Sequence, residues 1–583
     1  MFPAAYIYIG KECRKETAYM DCEDAVYSEN YYDLIIEYGS IGANTSVIPA
    51  DCRQEINVAY SIGYFNRERL PELNISDYTY SAIPQCFTLM DDAALSGSGI
   101  LKVQNQPTLS LKGEGILIGF LDTGIDYRNP VFQSGPANTR ILSIWDQTIR
   151  SGKKPERFLY GSEYTRNDIN AALRSDNPLE IVPSVDENGH GTFLAGVAAG
   201  SPDSPNDFSG AAPYADIAVV KLKPAKQNIR DFYFIPTDAV AYQENDVMAA
   251  VAYLNKLAME ENRPLVLCIG LGTSMGSHGG TSPLSMYLNE IATLKNHVVV
   301  IAAGNEANAR HHFYGSIMKQ GDSETVEINV GENVRGFTAE LWARAPELYS
   351  VAIISPTGEQ IRRIPVTQRS RVVYQFIFEE TVVSVEYQAV GVRSGDLLVF
   401  FRFDKPTRGL WQIVVYAEDS IMEGHYHIWL PLREFMSGDV IFIRSNPDVT
   451  LTVPSTSEVP MTAGAYDVQT GSLFLDSSRG FTAVGDIKPD YVAPGVNVYG
   501  PDLRNRYTTR TGTSAAAAVA AGGSALLLEW AIKRQYEKNV NSVNIKNYIL
   551  RGARREESRT YPNEEWGYGE LDIYEALNKL RVL

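Results

Sequence analysis

The run Arg510-Thr-Gly-Thr-Ser514-Ala-Ala-Ala-Ala-Val-Ala-Ala-Gly522-Gly-Ser-Ala-Leu-Leu-Leu-Glu-Trp530 constrains this chain more than any other stretch. Alanine is the strongest helix former, and the run continues into Leu526, Leu527 and Leu528, so a turn at Gly512 feeds a helix. A helix with so few polar side chains belongs inside a core, where its small residues let neighbours approach closely. Ser514 stands at its head, beside the unpaired N–H groups and positive dipole end of the first turn, where an oxyanion can be held. The serine therefore has two readings, an N-cap on a core helix or a nucleophile. A base, an orienting acid and a second oxyanion donor elsewhere would decide for the second.

With 583 residues the chain exceeds one core and divides into several domains. From Gly115 onward, apolar runs alternate with helical spacing. Residues 116–121 form a run ending at Asp122, and 216–222, 265–269 and 298–302 are further strands. Between them Val247, Met248, Val251, Leu254 and Leu257 keep helical spacing, and Pro283 opens another helix that runs to Lys295. This alternation predicts an α/β fold, a mostly parallel sheet with helices on both faces and its working groups at the strands' carboxyl ends.

Between Gly321 and Pro454 that rhythm stops, and seven stretches separated by turns read as strands, which predicts an antiparallel sandwich or jelly roll. The α/β pattern resumes at residues 461–466, so the all-β segment is an insertion. Residues 1–92 read as a small α/β module with a strand at 33–38, a helix over 51–60 and a closing strand at 77–83, followed by a turn-rich junction at 95–100. The predicted units are 1–92, 93–320, 321–455 and 456–583.

A net charge of −18 repels nucleic acid and anionic membrane, so neither is expected as a partner. No run of about 18 apolar residues predicts membrane insertion. No basic segment precedes an apolar run at Met1, so no export signal is read and a cytoplasmic chain is expected. The five cysteines (Cys13, Cys22, Cys52, Cys86, Cys268) are too irregular for a disulfide framework and contain no CxxC pair. Free thiols are the expectation, with one N-terminal disulfide left open. No cofactor is assigned: Gly270-x-Gly272 lacks a following P-loop lysine. His425-x-His427 puts two imidazoles on one strand face, but without a neighbouring carboxylate or thiol no metal is assigned.

The partners that Ser514 needs are present in the α/β pattern. Asp122, in Leu121-Asp-Thr-Gly-Ile-Asp126, ends the first strand, where a carboxylate can fix a histidine's tautomer. His190 lies in Asn188-Gly-His-Gly-Thr192, bracketed by glycines, and histidine suits proton transfer near neutrality. Asn305, in Ala302-Ala-Gly-Asn-Glu306, follows another strand and offers an amide as oxyanion donor. Gly270, Leu271 and Gly272 leave a strand edge open for an extended substrate.

These segments, in the order Asp, His, Asn, Ser, resemble the signature segments of the subtilisin-like serine proteases (peptidase S8), and Ala493-Pro-Gly495 resembles that family's segment before the serine. The wider layout, with Val220-Lys-Leu-Lys-Pro-Ala225, is similar to the clostridial germination-specific Csp proteases. The resemblance implies a Ser514–His190–Asp122 triad with Asn305 in the oxyanion hole, and a jelly roll inserted after that asparagine. It implies an N-terminal prodomain that templates folding, is cut between Gln85 and Leu95, and stays in the cleft. It further implies limited proteolysis of a protein such as a spore cortex-lytic zymogen, and a spore-associated location. The other reading is a silent subtilase serving as scaffold or germinant-sensing pseudoprotease. One departure stands out: subtilases carry proline four residues after the serine, where this chain has Ala518.

Overall fold

The computed structural model describes residues 22–38, 49–90, 98–104, 110–389, 395–418, 421–533 and 539–580. Cys13, residues 91–95 of the expected cleavage window and the start of the 95–100 junction lie outside them.

An eight-stranded sheet carries the α/β body. Its order is Tyr491–Pro494, Met461–Tyr466, His297–Ala302, Leu265–Ile269, Leu117–Asp122, Asp216–Lys221, Ile141–Asp146 and Ser162–Thr165. Every neighbouring pair is parallel except the last. The apolar runs read in the sequence are strands because both faces are covered. Along Leu117–Asp122, Ile118 and Phe120 enter the core that holds Phe193 and the alanines after Ser514. Leu117 and Leu121 enter the opposite core, with the helices Glu244–Glu260 and Pro283–Thr293.

The helix Thr513–Lys533 is long and apolar enough to cross a membrane, yet 89% of the relevant stretch is buried inside the protein. Its small residues are required by close packing. A side chain at Gly522 would stand 2.4 Å from Ala211 Cβ and 2.7 Å from the Ala198 carbonyl, at the end of the helix His190–Ala199.

Residues 312–442 supply two antiparallel sheets of six and five strands, whose inner faces share a core around Trp411, Phe401, Leu341 and Tyr349. The strands Gln360–Ile364, Val382–Gln388 and Val440–Phe442 add to those legible in the sequence. The outer face of the six-stranded sheet packs on the α/β body, where Phe400 stacks on Phe232 with centroids 5.6 Å apart.

The N-terminal segment departs from expectation in three places. Residues 51–60 are not helical. Cys52–Glu55 is a strand beside Tyr60–Asn66, in a three-stranded antiparallel sheet with Tyr31–Glu37. Its polar alternation is paired from outside: Gln54 accepts from Leu159 N–H at 3.0 Å and donates to the Arg157 carbonyl at 2.9 Å. Residues 77–83 form turns and a short 3₁₀ helix, Tyr80–Ala82, and the closing strand is Cys86–Leu89. Cys22 and Cys52 form a disulfide, whereas Cys86 and Cys268 are buried free thiols, so the expectation of free thiols fails at one pair.

This segment seals onto the α/β body through buried polar contacts. Lys226 Nζ meets Asp33 Oδ1 at 2.5 Å and the Ala25 carbonyl at 2.9 Å. A buried ion pair is structurally tolerable only when both charges are so engaged. The strand Cys86–Leu89 then lies between Tyr242–Gln243 and Leu271–Gly272, antiparallel to both.

Candidate active site

Three elements bring three side chains to one point. Asp122 ends the central strand, His190 opens its helix, and Ser514 is the second residue of the alanine-rich helix. The turn after Asp122 needs Gly124, whose φ is +115°, and a Cβ on Gly191 would sit 2.2 Å from the Gly124 carbonyl. The glycines beside the two residues thus follow from how closely the backbones approach. Asp186 secures the histidine loop, accepting from the N–H groups of Asn188, Gly189 and Thr192 and from the Thr192 hydroxyl. Nothing in the local sequence Pro183-Ser-Val-Asp-Glu187 marks Asp186 for this role.

His190 Nδ1 lies 2.8 Å from Asp122 Oδ1 and 2.9 Å from Oδ2. Its Nε2 lies 3.2 Å from Ser514 Oγ. With a proton on Nδ1 held by the carboxylate, Nε2 presents a lone pair to the serine hydroxyl, which can then donate into it. All three side chains are buried.

Asn305 accepts hydrogen bonds at Oδ1 from the Thr513 N–H at 3.2 Å and the Thr513 hydroxyl at 3.0 Å. A backbone N–H can only donate, so the oxygen end of the amide is fixed toward Thr513 and the –NH₂ end turns away from it. Thr513 therefore orients Asn305, a role the sequence reading did not give it. Ala518 is a fully buried interior residue of the same helix.

Gly270, Leu271 and Gly272 line the cleft beside these groups. A Cβ on Gly270 would stand 3.2 Å from both His190 Cε1 and Ser514 Cβ. Leu271 pairs with Leu89 and Gly272 with Thr88, so the open edge is filled by the chain's own segment. That segment continues to Met90, whose N–H donates to the Gly270 carbonyl at 3.0 Å and whose carbonyl accepts from the Ser514 N–H at 2.9 Å.

His425 and His427 serve packing. His427 lies 2.9 Å from His312 Nε2 through its Nδ1 and stacks on Trp429, while His425 leans on Tyr314. Among the described residues no group of three or more His, Cys, Asp or Glu side chains is placed to hold a metal.

A hydroxyl, an imidazole and a carboxylate in hydrogen-bonded series, set around a parallel sheet in the chain order Asp, His, Ser, are the arrangement of subtilisin-type serine peptidases. The chain belongs to the subtilase family, whose model matches residues 113–334 and 436–569. The unmatched gap falls within the two antiparallel sheets. The structure of the Clostridium perfringens CspB protease is similar at 32% identity and a TM-score of 0.73, covering 83% of this chain and 98% of that one. The C5a peptidase of Streptococcus pyogenes serotype M1 is 22% identical over 457 residues, and the PII-type proteinase of Lacticaseibacillus paracasei is 24% identical over 467. These alignments take in 73% and 71% of this chain but 35% and 22% of the relatives, so the chain spans about a third or less of their length.

Proposed function

We propose that the protein is a serine endopeptidase that cuts its own N-terminal segment and then acts by limited proteolysis on another protein. The single observation that carries this reading is the series Asp122, His190 Nδ1, Nε2, Ser514 Oγ at 2.8 and 3.2 Å.

Ser514 Oγ attacks a peptide carbonyl while His190 takes its proton, and Asp122 stabilises the imidazolium without accepting the proton itself. The oxyanion forms against the Ser514 N–H and the Asn305 amide, each worth on the order of 3 kcal/mol in the transition state. His190 then protonates the leaving amine, and water releases the acyl group by the reverse route.

Residues 1–92 act as prodomain, are cut between Gln85 and Leu95, and remain in the cleft, a reading supported by the buried seal around Asp33 and Lys226. The two-sheet insertion serves as a jelly-roll brace. The substrate is a protein zymogen of the spore cortex-lytic kind and the setting spore-associated or cytoplasmic, as the resemblance of the sequence layout to the Csp proteases implies. The hydrogen-bonded triad favours an enzyme over a silent, germinant-sensing scaffold.

Incubation with candidate zymogens tests this. The wild type should produce discrete fragments of one candidate, and Ser514→Ala should produce none. Identical fragment patterns from both would refute the reading, as would no cleavage of any protein by correctly folded wild type.

A further inference from the structure

We infer that the bond this site cuts in its own chain is Met90–Asp91, and that it selects proteins with an unbranched apolar residue before the scissile bond and an aromatic residue three positions earlier. The inference rests on the endopeptidase reading above and adds to it the register and the side chains that are read.

Register comes first. The strand Cys86–Leu89 is fixed on both edges, with Phe87 opposite Tyr242 on one side and Leu89 opposite Leu271 on the other. Beyond it, Met90 N–H bonds to the Gly270 carbonyl, and the Met90 carbonyl receives the N–H of Ser514 itself. A carbonyl about to be attacked must point its oxygen at that donor, because the donor stabilises the negative charge that develops there. A slip of one residue would break the pairing on both edges and turn every side chain to the opposite face.

The pocket comes second. Met90 is 3% exposed. A Cβ added at Gly272 would lie 3.1 Å from Met90 Cε and 2.4 Å from Thr452 Oγ1. A Cβ at Gly304 would lie 2.5 Å from Thr452 Cγ2. The Thr452 side chain is thus wedged between the two glycines, and the terminal methyl of Met90 reaches the space that the missing side chain of Gly272 leaves. Thr452 is held there by its N–H to the Ala303 carbonyl at 2.9 Å, and its neighbour Val453 exchanges backbone hydrogen bonds with Thr273 at 2.8 and 2.9 Å. The chain returning from the two-sheet insertion therefore forms part of the wall. A narrow slot between glycine backbones and a threonine suits a long, flexible, unbranched side chain and leaves an introduced charge without a partner. Three residues earlier, Phe87 is fully buried in the apolar cluster that contains Tyr242, Val247 and Leu271. Leu89 between them is only partly buried, so that position is read less closely.

The cleavage balances as an ordinary hydrolysis. Ser514 Oγ bonds to the Met90 carbonyl carbon, its proton passes to His190, and the C–N bond to Asp91 breaks as that proton moves to the Asp91 nitrogen. Water then splits the ester, leaving Met90 as a carboxylate and restoring the serine.

The test uses the full chain together with a peptide of residues 85–92, Gln-Cys-Phe-Thr-Leu-Met-Asp-Asp, so that a variant that misfolds does not decide the outcome. N-terminal sequencing of the self-processed wild type should start at Asp91, and the peptide should be cut between Met and Asp. Met90→Leu, which branches at Cγ, should process several-fold more slowly than wild type, and Met90→Glu at least tenfold more slowly. In the peptide, glutamate for methionine or alanine for phenylalanine should each slow cleavage at least tenfold. A Ser514-dependent cut at another bond, or indifference to these replacements, overturns the inference while leaving the endopeptidase reading intact. If neither chain nor peptide is cut by folded wild type, both fall.

Discussion

Asn305 presents the two ends of its amide to different partners, and the consequence can be measured. Its oxygen is committed to Thr513, which leaves the –NH₂ group for the oxyanion. Asn305→Asp keeps the acceptor that Thr513 needs and replaces the donor with a negative charge. We expect kcat on a peptide substrate to fall by about 10² to 10³, roughly 3–4 kcal/mol, with KM little changed, because the donor acts chiefly in the transition state. A variant within threefold of wild type would mean that the Ser514 N–H holds the oxyanion alone. Asp122 and His190 were legible because glycines beside them are forced by close backbone approach, and Ser514 because it heads an alanine-rich run, and both requirements leave a mark in the sequence. Thr513, Asp186 and Met90 left none. Each acts through a hydrogen bond whose partner is set by the turn or by a distant strand, and their residue types are ordinary at such places.

At the scale of elements, the seam between the α/β body and the six-stranded sheet is an aromatic stack. His278 lies on Trp429 with centroids 4.0 Å apart, and His427 lies against the same tryptophan at 5.0 Å. Burial pushes the His278 imidazole down to about 4 and that of His427 to about 3. In the unfolded chain both titrate near 6.5. Between pH 6.5 and about 4 the unfolded state therefore binds protons that the folded state refuses. Stability present above pH 6.5 is lost as the pH falls through that window, by up to about 1.4 kcal/mol per pH unit for each histidine. Urea unfolding at pH 7, 6 and 5 should show this slope, and His278→Gln should reduce it by about one histidine's share. An unchanged slope would contradict the stack's role. Strands covered on both faces, such as Leu265–Ile269, were readable as apolar runs. Cys52–Glu55 was not, because Gln54 is buried by partners near residue 158 that no local pattern reveals. Residues 77–83 looked like a strand for a similar reason. Tyr80 is set by its hydroxyl, which donates to Glu340 Oε1 at 2.6 Å across 260 positions.

Over the whole molecule, three bodies share one cleft. The α/β body supplies the triad, the N-terminal segment pairs along Leu271–Gly272 beside it, and the two-sheet insertion bonds to both through Glu340, which accepts from the Tyr80 hydroxyl at 2.6 Å and the Gly276 N–H at 2.9 Å. The alternation of strands and helices predicted the first, and the break in that rhythm predicted the third. How they meet depends on contacts between side chains hundreds of positions apart, which no periodicity encodes. Together these distant segments make the Ser514 hydroxyl a nucleophile. Treatment of folded protein with a fluorophosphonate, followed by intact-mass and peptide mapping, measures that directly. We predict one adduct per chain on Ser514, none in Ser514→Ala, and labelling slowed about 10³-fold or more in His190→Ala. A folded wild type that stays unlabelled, or a His190→Ala variant labelled at the wild-type rate, would contradict it.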